Sequence, residues 1–147
     1  MRIQKLIFIH VLFLIYSSIG LSQPTWVATT PSYDSSSLYI NFNFGLEDAG
    51  HIYGFLISYH YTTALTPIQV RDASQQPTNS GRIRNIDRAI SGGDIGLVLT
   101  EELKNDDVPT DLNPNQEYTL VFVAQDDGTS NWSAVQRFFI YTNPCPT

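Results

Sequence analysis

Apolar and polar side chains alternate with a period of two in several segments of the chain. Residues 38–44 place Leu, Ile, Phe and Phe alternately with Tyr, Asn and Asn, and residues 117–125 repeat the pattern more strongly. Successive side chains of a β-strand point to opposite faces, so this period predicts strands with one buried face. Five further segments carry weaker or shorter versions of the pattern and are also predicted as strands: 25–30, 51–59, 81–90, 95–100 and 135–141.

Helical periodicity is nearly absent from the chain. One short helix is predicted over 67–73, where Thr66 can cap the first turn and Pro67 suits its first position. Turn-forming residues separate the strands, with clusters at 45–50, 91–94 and 126–131. The sequence therefore predicts an all-β fold: a seven-stranded antiparallel β-sandwich with at most one short helix.

The amino-terminal residues have the layout of a secretory signal peptide. A short basic start, 1–5, precedes an apolar run, 6–16, that is interrupted only by His10. The small residues Gly20 and Ser22 follow, at positions that a signal peptidase accepts. The apolar run is much shorter than the roughly 20 residues that a membrane-spanning helix needs. The alternative of a buried amino-terminal helix fits the placement of charge less well.

This layout divides the chain into three parts and predicts a secreted or cell-surface protein that is not inserted in the membrane after cleavage. The parts are a signal peptide, one β-sandwich domain and a short tail: 1–22, 23–142 and 143–147.

Charge restricts the partners of the exported chain. Loss of Arg2 and Lys5 leaves six basic residues against 14 acidic ones, a net charge of −8 with histidine neutral. Such a surface repels phosphate backbones and anionic lipids, so nucleic acid is excluded as a partner. A basic protein, a neutral glycan or a cation stays compatible, and the chain is predicted to be a monomer or part of a longer protein.

The chain has one cysteine, Cys145, so no internal disulfide can staple the domain. Two interpretations remain open: a free thiol in the tail, or a bridge to a partner beyond Thr147 or in another molecule.

The best clue to a family lies where a loop leads into the strongest predicted strand. Leu112, Pro114 and Tyr118 have the order and spacing seen in fibronectin type III domains, and 119–128 resembles the strand and turn of a variant found in large secreted bacterial proteins. Two further segments match that variant in order, an acidic turn before an aromatic strand and a proline-led short helix: 47–53 and 66–70.

The resemblance covers roughly 24–142 and implies a specific role for Tyr118. In this family the tyrosine ring packs against the core while its hydroxyl bonds a backbone group a few residues upstream, with Leu112 and Pro114 packed at the corner. The resemblance also implies a spacer, adhesive or substrate-proximal module. The family's usual core tryptophan has no clear counterpart in the second strand; Trp26 can supply one from the first.

No catalytic constellation is recognisable. His51 and His60 are nine residues apart, an odd spacing that puts their side chains on opposite faces of a regular strand. The sequence contains no nucleophile elbow, no zinc-protease helix and no phosphate-binding glycine loop. It therefore predicts a protein that is not an enzyme, with no cofactor and no metal. Calcium at Asp126, Asp127 and Asn131 is the alternative, although the twelve-residue calcium-loop pattern is absent.

Trp132 is the candidate ligand-binding residue. It follows the acidic turn that holds Asp126, Asp127 and Asn131, where an exposed indole could stack on a sugar ring while the polar groups bind hydroxyls. The competing interpretation is that Trp132 folds back and covers the edge of the core. The predicted function is thus a spacer or protein-contact module, with a carbohydrate-binding module as the alternative. A second acidic group is predicted to be a solvated loop: Glu101, Glu102, Asp106, Asp107 and Asp111.

Overall fold

The computed structural model describes residues 23–79, 81–105 and 111–145, so the predicted signal peptide lies outside the described residues. The described chain is mostly β-structure, with a helix α1 and a short 3₁₀ helix at Gly92–Asp94. The strands and α1 are β1 (Ser32–Ser35), β2 (Ile40–Phe44), β3 (Gly50–Ile57), α1 (Pro67–Ser74), β4 (Arg82–Ile90), β5 (Leu99–Leu103), β6 (Glu117–Asp126) and β7 (Gln136–Tyr141).

These strands form two antiparallel sheets. One sheet has the order β1-β2-β5 and the other the order β4-β3-β6-β7. Both sheets contribute to one buried cluster, in which the Phe42 ring of β2 lies 4.9 Å from the Phe122 ring of β6 between centroids. Trp26 packs on the same cluster, with its ring edge-to-face against Phe122 at 5.9 Å. Two sheets that share a core in this way are consistent with a β-sandwich.

The four-stranded sheet is buried on both faces along much of its centre. In β6, Leu120 and Phe122 belong to the cluster between the sheets, whereas Val121 and Val123 belong to a second cluster on the outer face. Helix α1 packs on that outer face and contributes Val70, which is fully buried. The outer face is therefore divided between a part near α1 and parts that face solvent.

Helix α1 begins where the sequence predicts. The Thr66 hydroxyl accepts the Gln69 N–H at 3.3 Å, and the Gln69 side chain accepts the Thr66 N–H at 2.8 Å, a reciprocal capping box. Pro67 occupies the first turn, as expected. Within the described ranges, no helix has both the length and the apolarity needed to cross a bilayer.

The prediction of a first strand at 25–30 is wrong. In that segment a single β-bridge joins Trp26 to Leu46, and the chain then turns, with the Thr30 N–H donating to the Val27 carbonyl at 2.9 Å. Thr29 has a φ of 72°, which interrupts extended backbone. The first strand is β1, a polar segment that its pairing with β2 stabilises.

The strand predicted at 95–100 begins later, at Leu99, and extends to Leu103. Leu97 and Val98 lie before it with 53% and 49% of their surface exposed. Glu101 and Glu102, predicted to lie in a solvated loop, are instead strand residues, and the Glu101 carboxylate pairs with Arg84 at 2.9 Å. Asp106 and Asp107 lie outside the described residues.

A bulge in β4 changes which side chains reach the core. Leu56 pairs with Arg84 and Ile57 with Arg82, so Ile83 is an extra residue on β4. The bulge allows both Ile83 and Ile86 to reach the cluster between the sheets, although their odd spacing would put them on opposite faces of a regular strand.

Candidate functional site

The acidic turn proposed to bind a ligand is closed by its own backbone and by the loop before β3. The Asp126 N–H donates to the Asn131 carbonyl at 3.1 Å, and the Asp127 N–H donates to the Ala49 carbonyl at 3.0 Å. Gly128 has a φ of 69°, the left-handed conformation that this turn requires. The turn is therefore a tight β6–β7 connection held against the β2–β3 loop.

Trp132 does not project from this turn into solvent. It forms a β-bridge with Gln125, which directs the indole to the outer face of the four-stranded sheet. There it packs, partly buried, against the second cluster, with the Tyr53 ring 6.0 Å away and the Arg71 guanidinium 5.8 Å from its centroid. This placement agrees with the interpretation in which Trp132 folds back over the sheet.

Two of the four proposed ligand-binding residues line the groove beside this turn. Asp126 and Asp127 line an open groove of about 350 Å³ together with His51 and Tyr53. Trp132 packs against Tyr53 and Arg71, and the Asn131 carbonyl closes the turn. Tyr53 is buried, and this burial raises the pKa of its hydroxyl, as does the nearby Asp87 carboxylate, while Arg71 partly offsets the effect.

The two histidines belong to different clusters. His51 pairs through Nε2 with the Asp87 carboxylate and stacks on Tyr53, with centroids 4.4 Å apart and planes 9° apart. His60 lies beyond the end of β3, and its Nδ1 is 2.6 Å from the Glu117 carboxylate. The histidines thus meet different carboxylates.

A second cluster of polar and aromatic side chains lies on the outer face of β6 and β7. Tyr141 donates its hydroxyl to Glu117 Oε2 at 3.2 Å, while Glu117 Oε1 contacts His60. The His60 ring stacks on Phe139, with centroids 4.3 Å apart and planes 16° apart. We call these four residues the β6–β7 aromatic face. Interaction with the Glu117 charge, and secondly the hydrogen bond to it, raises the pKa of Tyr141.

Sequence reasoning missed this aromatic face although a signal was present. In β7, Phe138 and Ile140 pack on or in the core, so the period of two puts Phe139 and Tyr141 outward. The contribution of His60 was not accessible from the pattern, because it depends on the path of the chain after β3. Glu117 lies directly opposite Tyr141 in the sheet register.

Within 23–79, 81–105 and 111–145, no group of three or more His, Cys, Asp or Glu side chains is placed to hold a metal ion. Comparison of the chain with protein-family models, with curated proteins and with solved structures finds no match.

The packing of Trp132 predicts a structural effect of its removal. Trp132→Ala is expected to lower the free energy of unfolding by about 2 kcal/mol, because a partly buried indole loses its contacts with Tyr53 and its neighbours. Urea unfolding measures the change. Ile68→Ala on α1, where the side chain is 50% exposed, is the control and should change stability by less than about 0.5 kcal/mol. Equal stability of Trp132→Ala and wild type would contradict the packing role.

Proposed function

We propose that the chain is a non-catalytic, secreted β-sandwich module that resembles a fibronectin type III domain and serves as a spacer or protein-contact domain. The observation that carries the spacer role is the path of the backbone, which enters at one end of the sheets and leaves at the other. A module with this path holds its neighbours apart instead of bringing them together.

Backbone hydrogen bonds locate the two ends. At the entry, the Glu47 N–H donates to the Thr25 carbonyl at 2.9 Å, close to the start of β3, where Gly50 pairs with Asp126 at the end of β6. At the exit, the Thr142 N–H donates to the Gln116 carbonyl at 3.0 Å, next to the start of β6. Entry and exit are therefore separated by the length of β6, whose ten residues span about 34 Å.

The corner before β6 supports the likeness to fibronectin type III domains. Tyr118 is 1% exposed, and its hydroxyl accepts the Asn113 N–H, with nitrogen and oxygen 2.9 Å apart. Leu112 is buried beside it in the same cluster. A tyrosine that bonds backbone a few residues upstream at the start of a strand is the tyrosine-corner arrangement of such sandwiches.

The leader pattern supports export and an extracellular role. The candidate leader ends in small residues, and the remaining chain carries its net negative charge without an internal disulfide. Cys145 is exposed in the tail, where it is accessible to a partner thiol. These features suit a module that acts through its position and surface.

The spacer role predicts a long and well-defined distance between entry and exit. The full sequence is expressed in a secreting host and labelled with a dye pair at Cys145 and at a Thr25→Cys substitution. Single-molecule energy transfer between the two dyes should then show one narrow population. The expected separation is roughly 35–45 Å with dye linkers, whereas a flexible chain of this length averages about 60 Å with a broad distribution. Mass spectrometry of the same preparation tests cleavage after Ser22.

A matched pair of dyes at one end serves as the control. Ser37→Cys lies next to Ser36, whose carbonyl accepts the Asn143 N–H at 2.9 Å, so its dye should transfer energy to Cys145 with near-complete efficiency. The spacer proposal fails if the Thr25→Cys pair transfers energy as efficiently as the Ser37→Cys pair. A broad population without denaturant would argue equally against it.

A further inference from the structure

We propose that the β6–β7 aromatic face, formed by His60, Glu117, Phe139 and Tyr141, binds a neutral glycan. A pyranose ring stacks on the Tyr141 ring, and Glu117 and His60 hydrogen-bond its hydroxyls. The site is distinct from the turn that holds Trp132. It adds a ligand to the spacer or protein-contact role and does not depend on that role.

The first argument is exposure on a rigid element. Tyr141 is 63% exposed and Phe139 is 42% exposed, although both lie within a paired strand. Their neighbours Phe138 and Ile140 pack on or in the core and hold the strand in place. Two partly exposed aromatic side chains, two residues apart on one face of an ordered strand, give a surface that a ligand can cover.

The second argument is that the rings are held in position before any ligand arrives. Glu117 accepts the Tyr141 hydroxyl at 3.2 Å and contacts His60 Nδ1 at 2.6 Å, so one carboxylate orients both rings. His60 in turn lies nearly parallel to Phe139, with 16° between the planes. Pre-ordered side chains lose little conformational entropy on binding, which favours a weakly interacting ligand such as a sugar.

The third argument is the chemistry of the groups beside the rings. Aromatic faces stack on the C–H side of a pyranose, while polar groups at the rim fix its orientation. The Glu117 carboxylate has acceptor capacity beyond the two bonds it already makes, and His60 keeps a second ring nitrogen for a hydroxyl. Glu117 makes the face acidic, so a neutral sugar fits better than an anionic one.

A basic peptide is the main competing ligand, because cations also bind aromatic faces beside a carboxylate. The geometry favours the glycan, however. His60 covers one face of Phe139, and Glu117 is already engaged by two donors, so the four residues form a surface and not a cage around a point charge. A flat ring is the better match to this surface.

The test titrates the full sequence, exported and purified, with cellohexaose, chitohexaose and maltohexaose by calorimetry. At least one of these neutral oligosaccharides should bind, and Tyr141→Ala should weaken that binding by about tenfold or more because the stacking ring is lost. Tyr141→Phe keeps the ring and should weaken it by only about twofold to threefold. Circular dichroism confirms that each variant is folded.

Tyr33→Ala is the matched control, because Tyr33 is also an exposed tyrosine (38%) but lies on β1 in the other sheet. The affinity of Tyr33→Ala for the oligosaccharide should equal that of wild type.

The proposal is overturned if none of the three oligosaccharides binds at millimolar concentration, or if Tyr141→Ala binds as well as wild type. Binding of hexalysine that Tyr141→Ala abolishes, without binding of any oligosaccharide, would assign the face to a basic peptide instead. The energy-transfer distance stays as expected in each case, so this proposal and the spacer role fail separately.

Discussion

Tyr118→Ala is expected to lower the free energy of unfolding by about 4–5 kcal/mol, a large fraction of the stability of an ordinary domain. The ring is among the largest fully buried side chains and packs in the cluster shared by the two sheets. Its removal leaves a cavity and also takes the acceptor from the Asn113 N–H. Denaturant unfolding of the exported chain, followed by tryptophan fluorescence, measures the change.

Tyr118→Phe separates the hydroxyl from the ring. The expected loss is about 1–2 kcal/mol at neutral pH, because the ring stays packed while the Asn113 N–H loses its acceptor. Wild-type stability equal to that of Tyr118→Phe would show that the hydroxyl contributes nothing to the corner. Stability lost equally by Tyr118→Phe and Tyr118→Ala would show that ring packing contributes nothing.

The Tyr118 hydroxyl also makes the stability of the wild-type domain depend on pH, and Tyr118→Phe removes that dependence. Burial raises the pKa of Tyr118 above its ordinary value of 10.0, and the hydrogen bond from Asn113 partly offsets this. The folded state thus holds the hydroxyl proton more tightly than the unfolded state. The neutral hydroxyl therefore contributes to the free energy of unfolding below about pH 10, and this contribution is lost as the pH rises further. Tyr118→Phe should therefore lose less stability between pH 10 and 12 than wild type does.

Sequence reasoning predicted the elements that local patterns determine. The alternation in β6 is visible because every second residue must enter the same core, and the cap of α1 is visible because Thr66 and Gln69 bond each other three residues apart. In both cases the stabilising contacts are implied by the spacing itself. The two-sheet arrangement then follows from the number and type of strands.

Elements that depend on a distant partner were not predictable. The segment β1 has no apolar alternation, and its extended form comes from pairing with β2. Ile83 and Ile86 look like residues of opposite faces until the pairing with β3 requires a bulge. The start of β5 likewise depends on its register with β2, in which Phe44 pairs with Leu99.

The candidate sites show the same limit. The sequence left two positions open for Trp132, exposed beside the polar turn or folded back over the edge of the core. Its bridge to Gln125 directs it against Tyr53. The exposed rings of Phe139 and Tyr141 could be inferred from strand periodicity, whereas their contacts with His60 and Glu117 could not, because His60 is far away in sequence. Periodicity gives the face of a side chain but not its neighbours.

Gly54→Val is expected to destabilise the domain by more than about 4 kcal/mol or to prevent folding. Gly54 lies in the middle of β3 opposite Phe122, and a Cβ there would be 2.7 Å from the Val121 carbonyl oxygen and 3.0 Å from Phe122 Cβ. Because β3 pairs with β4 and β6, no shift of β3 relieves this overlap without breaking hydrogen bonds in the sheet. Thermal and denaturant unfolding measure the effect.

Gly93→Val is the matched control. A Cβ at Gly93 meets nothing within 4 Å, so the stability of this variant should stay within about 0.5 kcal/mol of wild type. A stable Gly54→Val variant would mean that β3 and β6 do not approach each other as closely as their register requires.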